Sequence, residues 1–465
     1  MHARHTARWI FTLSLTASAA CQDPNSTTGS SAEGGGSDGT AGSDGSDGGG
    51  AAASGGGMDA SDAGGDASDG GAESSSGGSG DSGPPVDLEP SLYFSPSGDN
   101  ANPGTQDSPK RDTTGIDFNT FPGGTLLVFE RGGTYPWPLF IFDNPNTSAA
   151  EPLMFDAYGS GPLPILDAPE SGVLFGYWEN VDNDGGYAFR NLRLQGHGAD
   201  ASFGFFFSYN VHDVIIENME IEGFYLGVQS HAGAPHGVTN ITIRNNSISR
   251  NFGMGILGQF QDTLIEGNLF EGNNFSGSGF EHGTYLSGYA PESGSNITIR
   301  NNRYIRNSVV DGVCQGGNMT FHGQLSNVLI EGNRIEQDAA APGCWAMSIT
   351  QGYDTAEWFL DFVVRGNTII NAGNTGMNAQ SAPGILVEDN VVINTQATYQ
   401  TSISVGSNEY GPGDVLDGDA IVRDNTVCQS GGATGNAVNV IAPNSTDSNN
   451  VTVTGPAAVV GICAP

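Results

Sequence analysis

The sequence predicts an all-β solenoid whose successive coils stack as parallel strands. Three observations carry this. A phrase of apolar run, charged residue, turn residue and asparagine keeps returning: Ile243-Arg244-Asn245-Asn246, Ile265-Glu266-Gly267-Asn268, Ile299-Arg300-Asn301-Asn302, Ile330-Glu331-Gly332-Asn333, Val364-Arg365-Gly366-Asn367, Val387-Glu388-Asp389-Asn390 and Val422-Arg423-Asp424-Asn425. Counting an imperfect copy at Ile216-Glu217-Asn218-Met219, its charged positions advance by 22 to 35 residues, a quasi-period at which each unit buries its apolar side on its neighbours. The segments themselves alternate, as in Ile241-Thr242-Ile243, and are too short and too rich in Gly, Asn and β-branched residues for helical repeats.

The elements follow in chain order. Residues 1–20 have a basic start at Arg4 and Arg8, an apolar stretch from Trp9 to Leu15, and small residues Ala17 to Ala20. That pattern predicts a secretory signal, and the stretch is too short to span a bilayer. Cys21 follows Ala19-Ala20 as in bacterial lipoprotein cleavage sites, so Cys21 is the expected lipidation site. Ser18 departs from that pattern by standing where Leu is usual, and plain secretion is the alternative. Residues 21–86, almost entirely Gly, Ser, Ala, Asp and Thr, cannot bury a core and predict a disordered spacer. Residues 87–465 form the predicted folded domain. Each unit there opens with one strand, and a second candidate follows about 11 to 16 residues after the charged position: Leu226-Gly227-Val228, Gly255-Ile256-Leu257, Tyr285-Leu286-Ser287, Ala346-Met347-Ser348 and Ser402-Ile403-Ser404. The recurrent Asn reads as a corner residue that tolerates a left-handed backbone and hydrogen-bonds its counterparts one coil above and below. The run Phe203-Gly204-Phe205-Phe206-Phe207 reads as interior stacking.

The repeat resembles the right-handed parallel β-helix of the pectate-lyase-like superfamily. The segments Tyr93–Thr105, Gly124–Tyr135, Asp156–Gly161 and Pro164–Asp167 strengthen the likeness, because they resemble the first coils of secreted β-helix proteins. It covers roughly residues 90–465 and implies a single-stranded right-handed parallel β-helix after the disordered linker. The resemblance leaves the reaction open, since this fold carries lyases, hydrolases, epimerases and non-catalytic binders.

Charge narrows the partners. The whole chain carries −36, and residues 87–465 alone hold 40 acidic against 13 basic residues. An acidic domain argues against nucleic acid, which needs a basic footprint. A polysaccharide is the expected partner, the membrane is expected only through the lipid anchor, and the protein is expected to be a monomer on the outer membrane or cell surface. Cys314 and Cys344 lie 30 residues apart and Cys428 and Cys463 lie 35 apart, about one coil each, which predicts two disulfides in an exported protein.

The densest reactive cluster is Glu281-His282-Gly283-Thr284-Tyr285. Stacked coils are about 4.8 Å apart, and Asp311 is expected to lie over His282 one coil later, with His322 further round. This suggests β-elimination on a uronic-acid polysaccharide: His282 as base oriented by Asp311, Tyr285 as acid, and an arginine or calcium ion holding the carboxylate. Better-known β-helix lyases use Lys or Arg as base, whereas the only lysine here is Lys110. His231, His236, Arg300, Tyr289 and Trp345 are the candidate substrate contacts. Arg300 also reads, with Arg244, Arg365 and Arg423, as part of a solvent-facing ladder with Glu266 and Glu331. Two rival readings stand: a non-catalytic glycan-binding or structural surface protein, and a glycoside hydrolase using Glu281 and Asp311 as its two carboxylates.

Overall fold

The computed structural model describes residues 89–465, apart from 176–183, 209, 232–236, 289–293, 315 and 338–342. Cys21, His236 and Tyr289 lie outside the described residues. The described chain winds into coils that each contribute to three parallel sheets. In one representative coil the first sheet takes Thr239–Arg244, the second Ser247–Ser249 and the third Ile256–Gly258. Among the described residues the second sheet contains twelve strands, paired in parallel from coil to coil. The three- and four-residue strands of this second sheet are the part of the coil that the two-strand reading missed.

Alternation explains the sheets. In the first sheet Ile241 and Ile243 are fully buried while Thr242 and Arg244 are partly exposed. In register Ile241 stacks on Val214, and Ile243 on Ile216 and Ile265, so each meets a similar apolar residue a coil away. Toward the N-terminus the core is aromatic: Phe142, Phe175 and Phe207 stack at 5.5 and 5.3 Å. Beside it the row of Phe205, Val228 and Ile256 continues through Thr284 into Met319, Met347, Met377 and Ile403. The phenylalanine run is interior only in part. Phe205 and Phe207 are buried, while Phe203 and Phe206 point outward and pack on each other at 5.0 Å.

The recurrent asparagines are the corner between the first and second sheets. Asn246, Asn268, Asn302, Asn333, Asn367, Asn390, Asn425 and Asn450 form one ladder, each side-chain N–H donating to the next Oδ1 at 2.9–3.0 Å. The left-handed position is the residue before each of the first seven: Asn245, Gly267, Asn301, Gly332, Gly366, Asp389 and Asp424 all have φ between 56° and 65°. A second ladder runs Asn251, Asn273, Asn307, Asn318 at the next corner. Along the end of the first sheet, Glu217, Arg244, Glu266, Arg300, Glu331, Arg365, Glu388 and Arg423 stand in register with alternating charge. Ion pairs of 2.6–2.8 Å join Arg244 to Glu217, Arg300 to Glu266, Arg365 to Glu331 and Arg423 to Glu388.

Both expected disulfides are present, Cys314–Cys344 and Cys428–Cys463, with Cα atoms 5.1 and 5.7 Å apart. The first ties an antiparallel hairpin, Val309–Val310 with Val313–Cys314, to the residue preceding strand Trp345–Ile349.

Candidate functional site

Where the chain enters the third sheet the coils approach too closely for side chains. A Cβ on Gly227, Gly255 or Gly283 would fall within 2.5–2.9 Å of a carbonyl oxygen of the next coil. His282 and Tyr285 flank this pinch, and their rings lie parallel at 5.7 Å. Trp345 closes over His282 at 5.5 Å, in space that exists because Gly317 has no side chain there. Tyr285 contacts the His322 ring at 5.4 Å, and His322 contacts Tyr353 at 5.5 Å. The Tyr285 and Tyr353 hydroxyls are hydrogen-bonded at 2.6 Å. Four rings from three coils thus form one row, with Trp345 over its His282 end.

Hydrogen bonds give the two histidines opposite tautomers. The Gly317 N–H donates to His282 Nδ1 at 3.2 Å, so the proton of the neutral ring sits on Nε2. Burial, reinforced by His322, lowers the His282 pKa to about 3, and the ring is neutral at ordinary pH. His322 is reversed. Its Nδ1 lies 2.6 Å from the Thr350 carbonyl oxygen, which can only accept. Nδ1 therefore carries the proton, and Nε2 of the neutral ring holds the lone pair.

Beneath the row is a carboxylate that sequence reasoning did not single out. Glu357 is fully buried and accepts from the backbone N–H groups of Gly323, Gly352 and Tyr353 at 2.5–2.8 Å. Its Oε1 lies 4.0 Å from His322 Nδ1. Burial raises its pKa, against the lowering effect of those N–H donors. The carboxylate fixes the loop that carries Tyr353. No local pattern marks Glu357 in the sequence, because its partners are backbone groups of other segments.

Other expected residues fall elsewhere. Asp311 does not lie over His282; the register places Gly317 there. Asp311 is exposed in the tip of the disulfide-linked hairpin, an insertion ahead of the third-sheet strand that displaces any count from the charged residue. Glu281 turns away from His282, accepting hydrogen bonds from Tyr225 Oη and from Ser276 Oγ, the latter at 2.9 Å. Glu281 and Asp311 therefore do not form a facing pair. Arg300 belongs to the charge ladder at the end of the first sheet. His231 is exposed after strand Leu226–Ser230, three coils before His322. Among the described residues no three His, Cys, Asp or Glu side chains gather to hold a metal ion.

A family model described as the right-handed beta helix region matches residues 180–352. No curated protein matches the sequence. Similar solved structures include a lacto-N-biosidase from Eubacterium ramulus, 13% identical over 72% of this chain and 67% of that one, TM-score 0.46. The A-module of a mannuronan C-5 epimerase from Azotobacter vinelandii is 17% identical over 71% and 89%, TM-score 0.46. A rhamnogalacturonan lyase is 16% identical over 77% and 87%, again with TM-score 0.46. Coils and family match together make the chain a right-handed parallel β-helix protein.

Proposed function

We propose that this is an exported, surface-anchored polysaccharide-processing protein that cleaves an acidic glycan by β-elimination. The observation that carries the reading is the pair of opposed histidine tautomers around a hydrogen-bonded tyrosine pair. His322 Nε2 is the base and takes the proton α to a uronate carboxylate. As the bond to the leaving oxygen breaks, the Tyr285–Tyr353 hydroxyl pair gives that oxygen a proton, and a carbon–carbon double bond remains at the new chain end. His282 is a positioning residue: neutral, buried and stacked on Tyr285. The base role expected of His282 passes to His322 because the Gly317 N–H occupies the His282 acceptor nitrogen.

The test is incubation of the full protein with a panel of uronic-acid polysaccharides, following ultraviolet absorbance of unsaturated ends. His322→Ala is expected to lower kcat by at least about a hundredfold, and Tyr353→Phe to lower it less. Absorbance that rises equally in His322→Ala would end the assignment. Glycan binding without any unsaturated product would instead support the non-catalytic glycan-binding alternative.

A further inference from the structure

Resting on that reading, we infer that the face beside the histidine row is a second sugar subsite, built for a neutral pyranose rather than a uronate. Tyr225, Phe252 and Phe275 occupy the turn before the third sheet in three successive coils. Backbone bonds from Phe252 N to Phe224 O and from Ser276 N to Phe252 O align them. Their ring centroids are 6.1 and 5.1 Å apart, so they form an aromatic ladder along the coil axis. Phe252 and Phe275 are 38% and 44% exposed, and Phe280, next to Glu281 in the chain, is 59% exposed. Two exposed phenylalanines in ring contact on an acidic domain, with a third exposed in the same loop, suit an occupant with an apolar face.

The polar groups at the ladder identify that occupant. Glu281 reaches across the bare Cα of Gly253, where a Cβ would come within 3.1 Å of its carboxyl carbon. There its carboxylate takes the Tyr225 and Ser276 hydroxyls as donors. Burial, and then the bond to Glu281, raises the Tyr225 pKa, so the phenol keeps its proton. Ring faces for the C–H side of a sugar, with a carboxylate and two hydroxyls at their edge, suit a hydroxylated neutral ring. A uronate here would set its own carboxylate beside Glu281, with no arginine among the described residues shown paired to Glu281 to offset it. Glu281 leads directly into His282, so one glycan lying along the third sheet would meet both places. The substrate class is therefore a mixed glycan, with a neutral sugar flanking the uronate at the histidine row.

The experiment uses His322→Ala in the full chain, so that binding is read without turnover. Calorimetry would compare short neutral gluco-, manno-, xylo- and galacto-oligosaccharides with pure uronic-acid oligomers. At least one neutral series is expected to bind, and adding Phe252→Ala with Phe275→Ala should weaken it about tenfold. Glu281→Gln should raise the affinity of the uronic-acid oligomers. Circular dichroism confirms that each variant is folded. Failure of every neutral series to bind, or equal affinity with and without the phenylalanines, overturns the inference. Loss of the elimination reading looks different: no unsaturated ends from the unmutated protein while the phenylalanine effect on binding persists.

Discussion

Single residues set the protonation pattern of the ring row. His282 has a folded pKa near 3 against an ordinary value of 6.5. The unfolded chain therefore takes up a proton as the pH drops below 6.5, and the folded chain does not until about 3. His282 thus contributes fully above pH 6.5, and stability is lost toward pH 3 at up to about 1.4 kcal/mol per pH unit. His282→Asn keeps an acceptor near the Nδ1 position for the Gly317 N–H. Urea unfolding across that range should show a flatter pH dependence in the variant, and identical slopes would refute the role. Glu357→Gln is expected to cost about 1–3 kcal/mol, because an amide turns N–H groups toward backbone donors that the carboxylate satisfied. Hydrogen exchange at Gly352 and Tyr353 should speed up in the same variant, and unchanged exchange would show that the loop is held by something else.

At the scale of the elements, the asparagine ladder is the continuous polar seam of the core. Asn302 accepts from both the backbone and side-chain N–H of Asn268, and donates to Asn333 and the Ile265 carbonyl. Asn302→Ala orphans several buried groups at once, and denaturant unfolding should show a loss of at least about 2 kcal/mol. A loss under half that figure would mean that water or a shifted corner replaces the bonds. This seam was legible in the sequence because each rung repeats the same residue at the same place in its phrase. The left-handed turn residue was misassigned by one position, since Asn serves both as ladder rung and as left-handed residue in pairs such as Asn245-Asn246 and Asn301-Asn302. The ring row was half legible. His282, Tyr285, His322 and Trp345 stand out by chemistry, and the structure brings them together. Tyr353 carries no mark of its own in the sequence, and Asp311 stands away from the place its spacing suggests. Both depend on loop insertions, whose length shifts register without leaving a periodic trace.

For the whole molecule, the acidic composition suits the proposed export and anchoring, because net negative charge favours solubility. Cys21→Ser is expected to move the protein from the membrane fraction to the soluble exported fraction, and retention of the variant in the membrane would contradict lipidation at that residue. The alternating Arg and Glu ladder has a consequence for how such a chain can lengthen or shorten. Its sign changes at every coil from Glu217 to Arg423, so the charge pattern repeats every second coil. Excising one internal coil would set arginine on arginine or glutamate on glutamate across the junction, whereas excising two would restore opposite charges. Along this stretch the solenoid therefore has a parity, and the natural unit of duplication or deletion is the pair of coils.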